Sequence, residues 1–348
     1  MDTGRQVIDF LYSEQLQVDD EWAVRTPSGF TWWGGHNAQT IEILREETSP
    51  DGMTGYLIGV RTEMVADIDL TDAALYDLNG GAMTCASLAG PVYDPHTRTL
   101  SLCSLARVHD EIAPWMAMLL ASAAVAQLAE VPLYGEEFDE RHGGCFAVSG
   151  HPQLGVRMEP DEMINAAMQV FPVEGAEPLR LRDADFEAAV GDHMMAPPSL
   201  GASAGGLGLT VEFPYGSASS LCEFIGDQPH PLYGNGLLIV QRFPYRTPDE
   251  AAGIRLALEF NRADLTENPA GYGFGSYVYL DDMICFNSFI PNVLVHEGLL
   301  ANLYYSCAAR AASMSVRLLG EGWDGDSFRL DHSAMGRAMR KRPDPTLN

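Results

Sequence analysis

The sequence predicts an α+β fold made of two tandem copies of one unit, each a mostly antiparallel sheet covered by helices and ending in strand–strand–long helix. Two stretches predict the unit, and their spacing predicts the duplication. Residues 99–106 (TLSLCSLA) alternate Leu100, Leu102 and Ser104 with Ser101, Cys103 and Leu105, the period of a strand with a buried face. A nearly uncharged run over 112–131 comes next and reads as a long helix, with Asp110 as its cap and Pro114 in its first turn. The same succession returns as a strand over 283–290 (MICFNSFI) and a helix over 293–316. The registers agree, since Tyr56 falls on Leu237 (offset 181), Asn79 on Asn261 (182) and Ser104 on Ser288 (184), a drift that loop insertions produce.

In chain order, residues 5–16 place Val7, Ile8, Leu11 and Tyr12 at helical spacing. Strands are expected over 22–25, 30–33, 40–44 and 55–62, separated by turn-forming runs at 27–29, 34–37 and 49–52. A helix over 69–79, capped by Thr71 or Asp72, is expected to stop at Asn79-Gly80-Gly81. A hairpin over 91–106 and the long helix complete the first unit near Val131. In the second half, strands over 207–213, 220–225 and 236–242 precede a helix from Thr247 to Asn261, a hairpin over 272–290 and the second long helix. The expected domains are a first repeat at 1–134, a linker with short helices at 135–204, a second repeat at 205–320 and a flexible tail at 321–348. Helical stretches at 163–171 and 183–190 fall in the linker, and the second stands in for the first helix of repeat two.

Composition narrows the function classes. The 348 residues suffice for two cored domains, and the formal net charge of −27 disfavours nucleic acid and anionic lipid as partners. Such a surface suits solubility or a basic protein segment. One lysine, Lys341, against twenty arginines reads as the mark of a GC-rich genome. Six scattered cysteines without a CxxC pair fit buried free thiols in a reducing compartment, and no leader peptide is read at Met1, so a cytoplasmic location is expected. The run at 112–131 has the length of a membrane span, but its counterpart carries His296, Glu297, Asn302 and Arg310. Both are therefore read as core helices, with no membrane insertion.

This order of elements resembles the fold of type III secretion chaperones, shared by the YbjN family and related actinobacterial chaperone-like (TY-Chap type) domains. The resemblance spans nearly the whole chain and rests on element order, the strand–strand–long helix ending, size and acidity. It implies a protein-binding role in which two units share one binding surface, here within a single chain.

Catalytic signatures are sparse. His109 and His296 both lie at helix starts, yet the register sets His109 opposite Val293. Cys145 in His142-Gly-Gly-Cys145 has no hydrolase signature around it. No HxxxH, HExxH or paired-cysteine spacing supports a metal, Asp324-Gly-Asp326 lacks the rest of a calcium loop, and 201–208 lacks a P-loop ending. No catalytic residue, cofactor or metal is expected. Trp32-Trp33 is the candidate partner-binding site: neighbours on a strand face opposite ways, so one enters the core and the other points outward, unless the linker or the other repeat covers it. The leading expectation is a non-enzymatic adaptor that binds another protein through a surface formed by the two repeats. The alternatives are an enzyme with a site between them, built from His142, Cys145 or His296, and a structural subunit of a larger assembly.

Overall fold

The structure, a computed structural model, describes residues 2–48, 54–168, 201–202, 207–267, 273–295 and 297–320. Helix α1 (Thr3–Phe10) starts where the Asp2 carboxylate accepts the Arg5 amide at 2.7 Å, and it buries Val7 and Ile8. Strands β1 (Ala23–Arg25), β2 (Gly29–Trp32), β3 (Gln39–Thr48) and β4 (Thr54–Ala66) lead to helix α2 (Asp72–Thr84). The hairpin β5 (Gly90–Asp94) and β6 (Thr99–Val108) leads to helix α3 (Ala113–His142). A short strand β7 (Cys145–Phe146) and helix α4 (Glu162–Met168) come next. The second half has β8 (Gly201–Ala202), β9 (Gly208–Tyr215), β10 (Ala218–His230) and β11 (Gly234–Pro244). It continues through helix α5 (Glu250–Thr266), the hairpin β12 (Ser276–Leu280) and β13 (Met283–Pro291), and helix α6 (Glu297–Met314).

Two antiparallel sheets result, with strand orders β1-β2-β3-β4-β6-β5 and β8-β9-β10-β11-β13-β12. The orders are identical once the second is renumbered. In both halves a meander is followed by a helix, and the second strand of the next hairpin pairs with the last strand of the meander. The α+β duplication read from the sequence is thus present in the topology. A mirrored polar contact marks it too. Gln39 on β3 donates from Nε2 to the α3 carbonyl of Ala124 and to Thr62 Oγ1 on β4, both at 2.8 Å. In the second half Gln241 on β11 donates to the α6 carbonyl of Cys307 at 2.7 Å and to Ser220 Oγ on β10 at 3.3 Å. All four side chains are buried, so each amide satisfies a polar group that the helix-on-sheet contact would otherwise strand.

The halves join along one edge of each sheet. Beyond the end of β5, Leu105 on β6 exchanges two backbone hydrogen bonds with Gly273, at 3.0 and 3.1 Å. The equivalent Phe289 on β13 donates its amide to the Ser87 carbonyl at 3.4 Å. Each sheet therefore lends the other the residues that precede its own hairpin. Two asparagines, one from each half, cover the free edge of β12. Asn79 on α2 makes two 2.8 Å bonds to the backbone of Tyr279, and Asn261 on α5 makes the same pair to Tyr277, at 2.7 and 3.3 Å. An edge that would otherwise offer bare backbone is closed within the chain. One apolar cluster, reaching from Val7 to Met314, runs through both halves.

Four expectations need correction. Helix α2 does not stop at Asn79-Gly80-Gly81 but runs to Thr84, because neither glycine takes the left-handed φ that terminates a helix. Helix α3 passes through Pro132 and ends at His142, so the expected boundary at 134 falls inside a helix. Its start carries no side-chain cap; Asp110 instead accepts the Thr3 hydroxyl. The stretch after α3 is also no free linker: β7 adds to β4, and residues 146–161 lie back over the first sheet. The turn at 49–52, the helix at 183–190 and the tail at 321–348 lie outside the described residues.

Helix α3 is long and apolar enough to cross a membrane, but 72% of its most apolar window is buried against the fold. The cysteines divide in the same physical way. Burial pushes the Cys103 thiol up to about 12 and that of Cys285 up to about 11, whereas Cys145 is exposed and Cys85 half-buried. A thiol reagent added to the native protein at pH 8 is expected to modify Cys145 within minutes and to leave Cys103 and Cys285 intact for hours. Mass spectrometry of a digest reads the order directly, and early modification of either core thiol contradicts this packing.

Candidate functional site

Both tryptophans of the expected binding pair are buried. Trp32, the last residue of β2, is fully enclosed in the main core, and Trp33 is 6% exposed. The outward position that alternation assigns to one of them exists, but the chain returning after α3 fills it. Trp33 donates its indole N–H to Ser149 Oγ at 3.0 Å and lies 4.9 Å from the His151 ring in an edge contact. Arg157 binds the Trp33 carbonyl at 3.0 Å, pairs with Asp161 at 3.2 Å, and sits 5.1 Å over the ring of Trp22. Asn37 holds the Ala147 carbonyl at 2.7 Å. These bonds tie residues 146–161 down as a strap.

The strap's other side chains face solvent. Val148, Leu154, Val156 and Met158 are 50%, 50%, 41% and 74% exposed, all within eleven residues. Acidic groups flank them: Glu159 is exposed, and Asp19 lies 3.6 Å from Arg157 next to Asp20 and Glu21.

The residues weighed for catalysis are placed as follows among the described residues. His142 is bound through Nε2 to Asp77 at 2.8 Å and packs on Phe138, while Cys145 is exposed on β7. His109 is buried, and His296 lies outside the described residues. Among the described residues no three His, Cys, Asp or Glu side chains are grouped to hold a metal ion.

A cavity of about 260 Å³ opens instead where the halves meet. Helices α2 and α3 and the β5–β6 hairpin wall it, and Ser276 of β12 closes it from the second half. Its walls are largely apolar, with Met64, Leu78, Ala89, Leu102 and Phe138. Cys85, Ser87, Glu130 and Tyr134 supply the polar groups, and Asp77, Glu137 and Arg141 stand at the mouth. Arg141 is held by both carboxylates there, at 2.7 Å from Asp77 and 2.6 Å from Glu137.

Glu130 is the buried group of interest, 3% exposed near the middle of α3. Its Oε1 accepts the Tyr233 hydroxyl at 2.6 Å, and its Oε2 accepts the Ser87 hydroxyl at 3.3 Å. Burial pushes this carboxyl up to about 7, and the two hydroxyls only partly offset that. Tyr233 comes from the β10–β11 turn of the second half, and its phenol is raised by burial and by Glu130. Behind it His230 stacks at 4.6 Å and is pushed down to about 4 by burial, hence neutral. Tyr134 is raised by burial first and then by its hydrogen bond with Cys85. The one trace of this site in the sequence is a lone carboxylate, Glu130, closing an apolar helical run. The cavity presents a proton-exchanging carboxyl, a thiol and a phenol in its lining.

Comparison with protein families, with curated proteins and with solved structures finds no match for this chain.

Proposed function

We propose that the chain is a non-enzymatic, chaperone-like adaptor that binds another protein, in keeping with its resemblance to type III secretion chaperone and YbjN-like domains. The two joined repeats form its frame. The observation that carries the reading is the strap: four exposed apolar side chains between Val148 and Met158, anchored from beneath and flanked by acids. A surface of this kind accepts an amphipathic segment by its apolar face. The net charge of −27 favours a segment that also carries basic residues.

Leu154→Asp and Met158→Asp together test the reading, because both residues are exposed and the change costs the fold within about 0.5 kcal/mol. Affinity purification from the native host is expected to recover a basic partner with the wild type and at least tenfold less of it with the variant, at equal melting temperature. Rising salt is expected to slow association while leaving dissociation nearly unchanged, since screening acts on encounter. Equal recovery with the double variant removes the strap from the interface.

A further inference from the structure

We propose that the cavity between the repeats binds a small primary amine carried on an apolar body the size of an aromatic ring, with its ammonium group on Glu130. Size is the first argument. A dry apolar cavity of about 150 Å³ takes up benzene. The 260 Å³ here accommodates such a ring together with a short aminoalkyl chain. Lining is the second. Met64, Leu78, Leu102 and Phe138 suit a hydrocarbon body, and the buried carboxyl of Glu130 lies among them.

Charge is the third argument. Among the described residues, the groups bonded to Glu130 are the hydroxyls of Ser87 and Tyr233, and no cation there contributes to its state. Arg141, the cation at the mouth, is shared between Asp77 and Glu137. A buried carboxylate with neutral partners is destabilising, so folding is less favourable as pH rises from about 4.5 to about 7. An ammonium group supplies the missing counter-charge, and the phenol of Tyr134 and the ring of Phe138 add aromatic faces to it. The acidic mouth and the net charge of −27 draw cations and repel anions. When the amine binds below about pH 7, Glu130 releases a proton to solvent. The other titratable groups around it are Tyr134 on its own helix, Asp77 and Cys85 from α2 and its end, Glu137 and Arg141 at the mouth, and Tyr233 backed by His230 from the second half.

Calorimetric titration of the full chain with 2-phenylethylamine, 2-phenylethanol and 3-phenylpropionate tests this. At pH 8.5 the amine is expected to bind at least tenfold more tightly than the alcohol, and the carboxylate most weakly. At pH 5.5, with Glu130 protonated, the advantage over the alcohol is expected to shrink by tenfold or more. Glu130→Gln should bring amine and alcohol to equal affinity at both pH values while the alcohol still binds. Saturating amine should slow the labelling of Cys85, which lines the cavity, and leave that of exposed Cys145 unchanged. The proposal is overturned if none of the three binds at millimolar concentration, if the amine has no advantage at pH 8.5, if its advantage survives Glu130→Gln, or if Cys85 labels at an unchanged rate. It does not rest on the protein-binding reading, and the strap double variant should give the same titrations.

Discussion

Replacing Trp32 with alanine is expected to remove about 3–5 kcal/mol of stability, the largest loss from any single side chain of the first repeat. The ring is fully enclosed at the end of β2, in one core with Phe30, Ile41 and Ile164. Packing is tight enough that a Cβ on neighbouring Gly34 would come within 2.9 Å of the indole. The vacated space therefore cannot close without moving β2. Trp33→Ala should cost less, about 2–3 kcal/mol, combining one hydrogen bond to Ser149 with partial loss of burial. Its second effect differs in kind. Trp33 underlies the strap, so its loss should weaken partner capture even where the protein stays folded, whereas Trp32→Ala should leave capture by the folded fraction intact. Urea denaturation followed by tryptophan fluorescence supplies the stabilities. A Trp32→Ala protein within 1 kcal/mol of wild type would contradict the packing.

The element order was legible because it rests on local chemistry. Alternation at Leu100 to Leu105, the Thr71 cap and the turn residues at 27–29 and 34–37 each act within a few positions, and the structure has the strand, the cap and those turns there. The duplication was legible for a related reason: repeated patterns at offsets of 181 to 184 need no knowledge of contacts. The strap was not. Strand β7 has two residues, and the chain beyond it is fixed by bonds such as Asn37 to Ala147 and Arg157 to Trp33, between residues 110 and 124 positions apart. Nothing periodic announces such bonds, so 135–204 read as a linker, and alternation alone left open which tryptophan of the Trp32-Trp33 pair faces outward and whether anything covers it. The Asn79–Asn261 match shows the same limit. Register aligned the two residues, but only the fold reveals that both close the edge of β12, one from each repeat. Glu130 stayed hidden because a carboxylate at the end of an apolar run also suits an ordinary exposed helix terminus, and its burial depends on Tyr233, 103 residues away.

Gly275→Val is expected to lower stability by roughly 3 kcal/mol or more, with the damage centred on the seam between the repeats. Gly275 has φ +148°, a conformation L-residues rarely adopt, and a Cβ there would lie 2.2 Å from the Asn287 carbonyl oxygen. That oxygen belongs to the backbone of β13, so no side-chain rotation relieves the clash. Neighbouring glycines face the same crowding: a Cβ on Gly90 would lie 2.5 Å from the Gly275 oxygen, and one on Gly273 would lie 2.8 Å from Leu105 Cβ. The two sheet edges touch because Gly90 and Gly273 lack a side chain, and Gly275, packed against Asn287 and Phe286 of its own β13, holds its carbonyl at that contact. Forcing them apart should break the Leu105–Gly273 bonds and loosen the Ser276 wall of the cavity. Amide exchange at Leu105 and Gly273 should then accelerate more than at Val60 or Ile239, which lie in central strands. Gly81→Ala is the control, since a Cβ there meets no atom within 4 Å and alanine favours the helix by about 1 kcal/mol. If Gly275→Val melts with the wild type, or if exchange rises equally across both sheets, the close edge-to-edge contact at these glycines is not what joins the repeats.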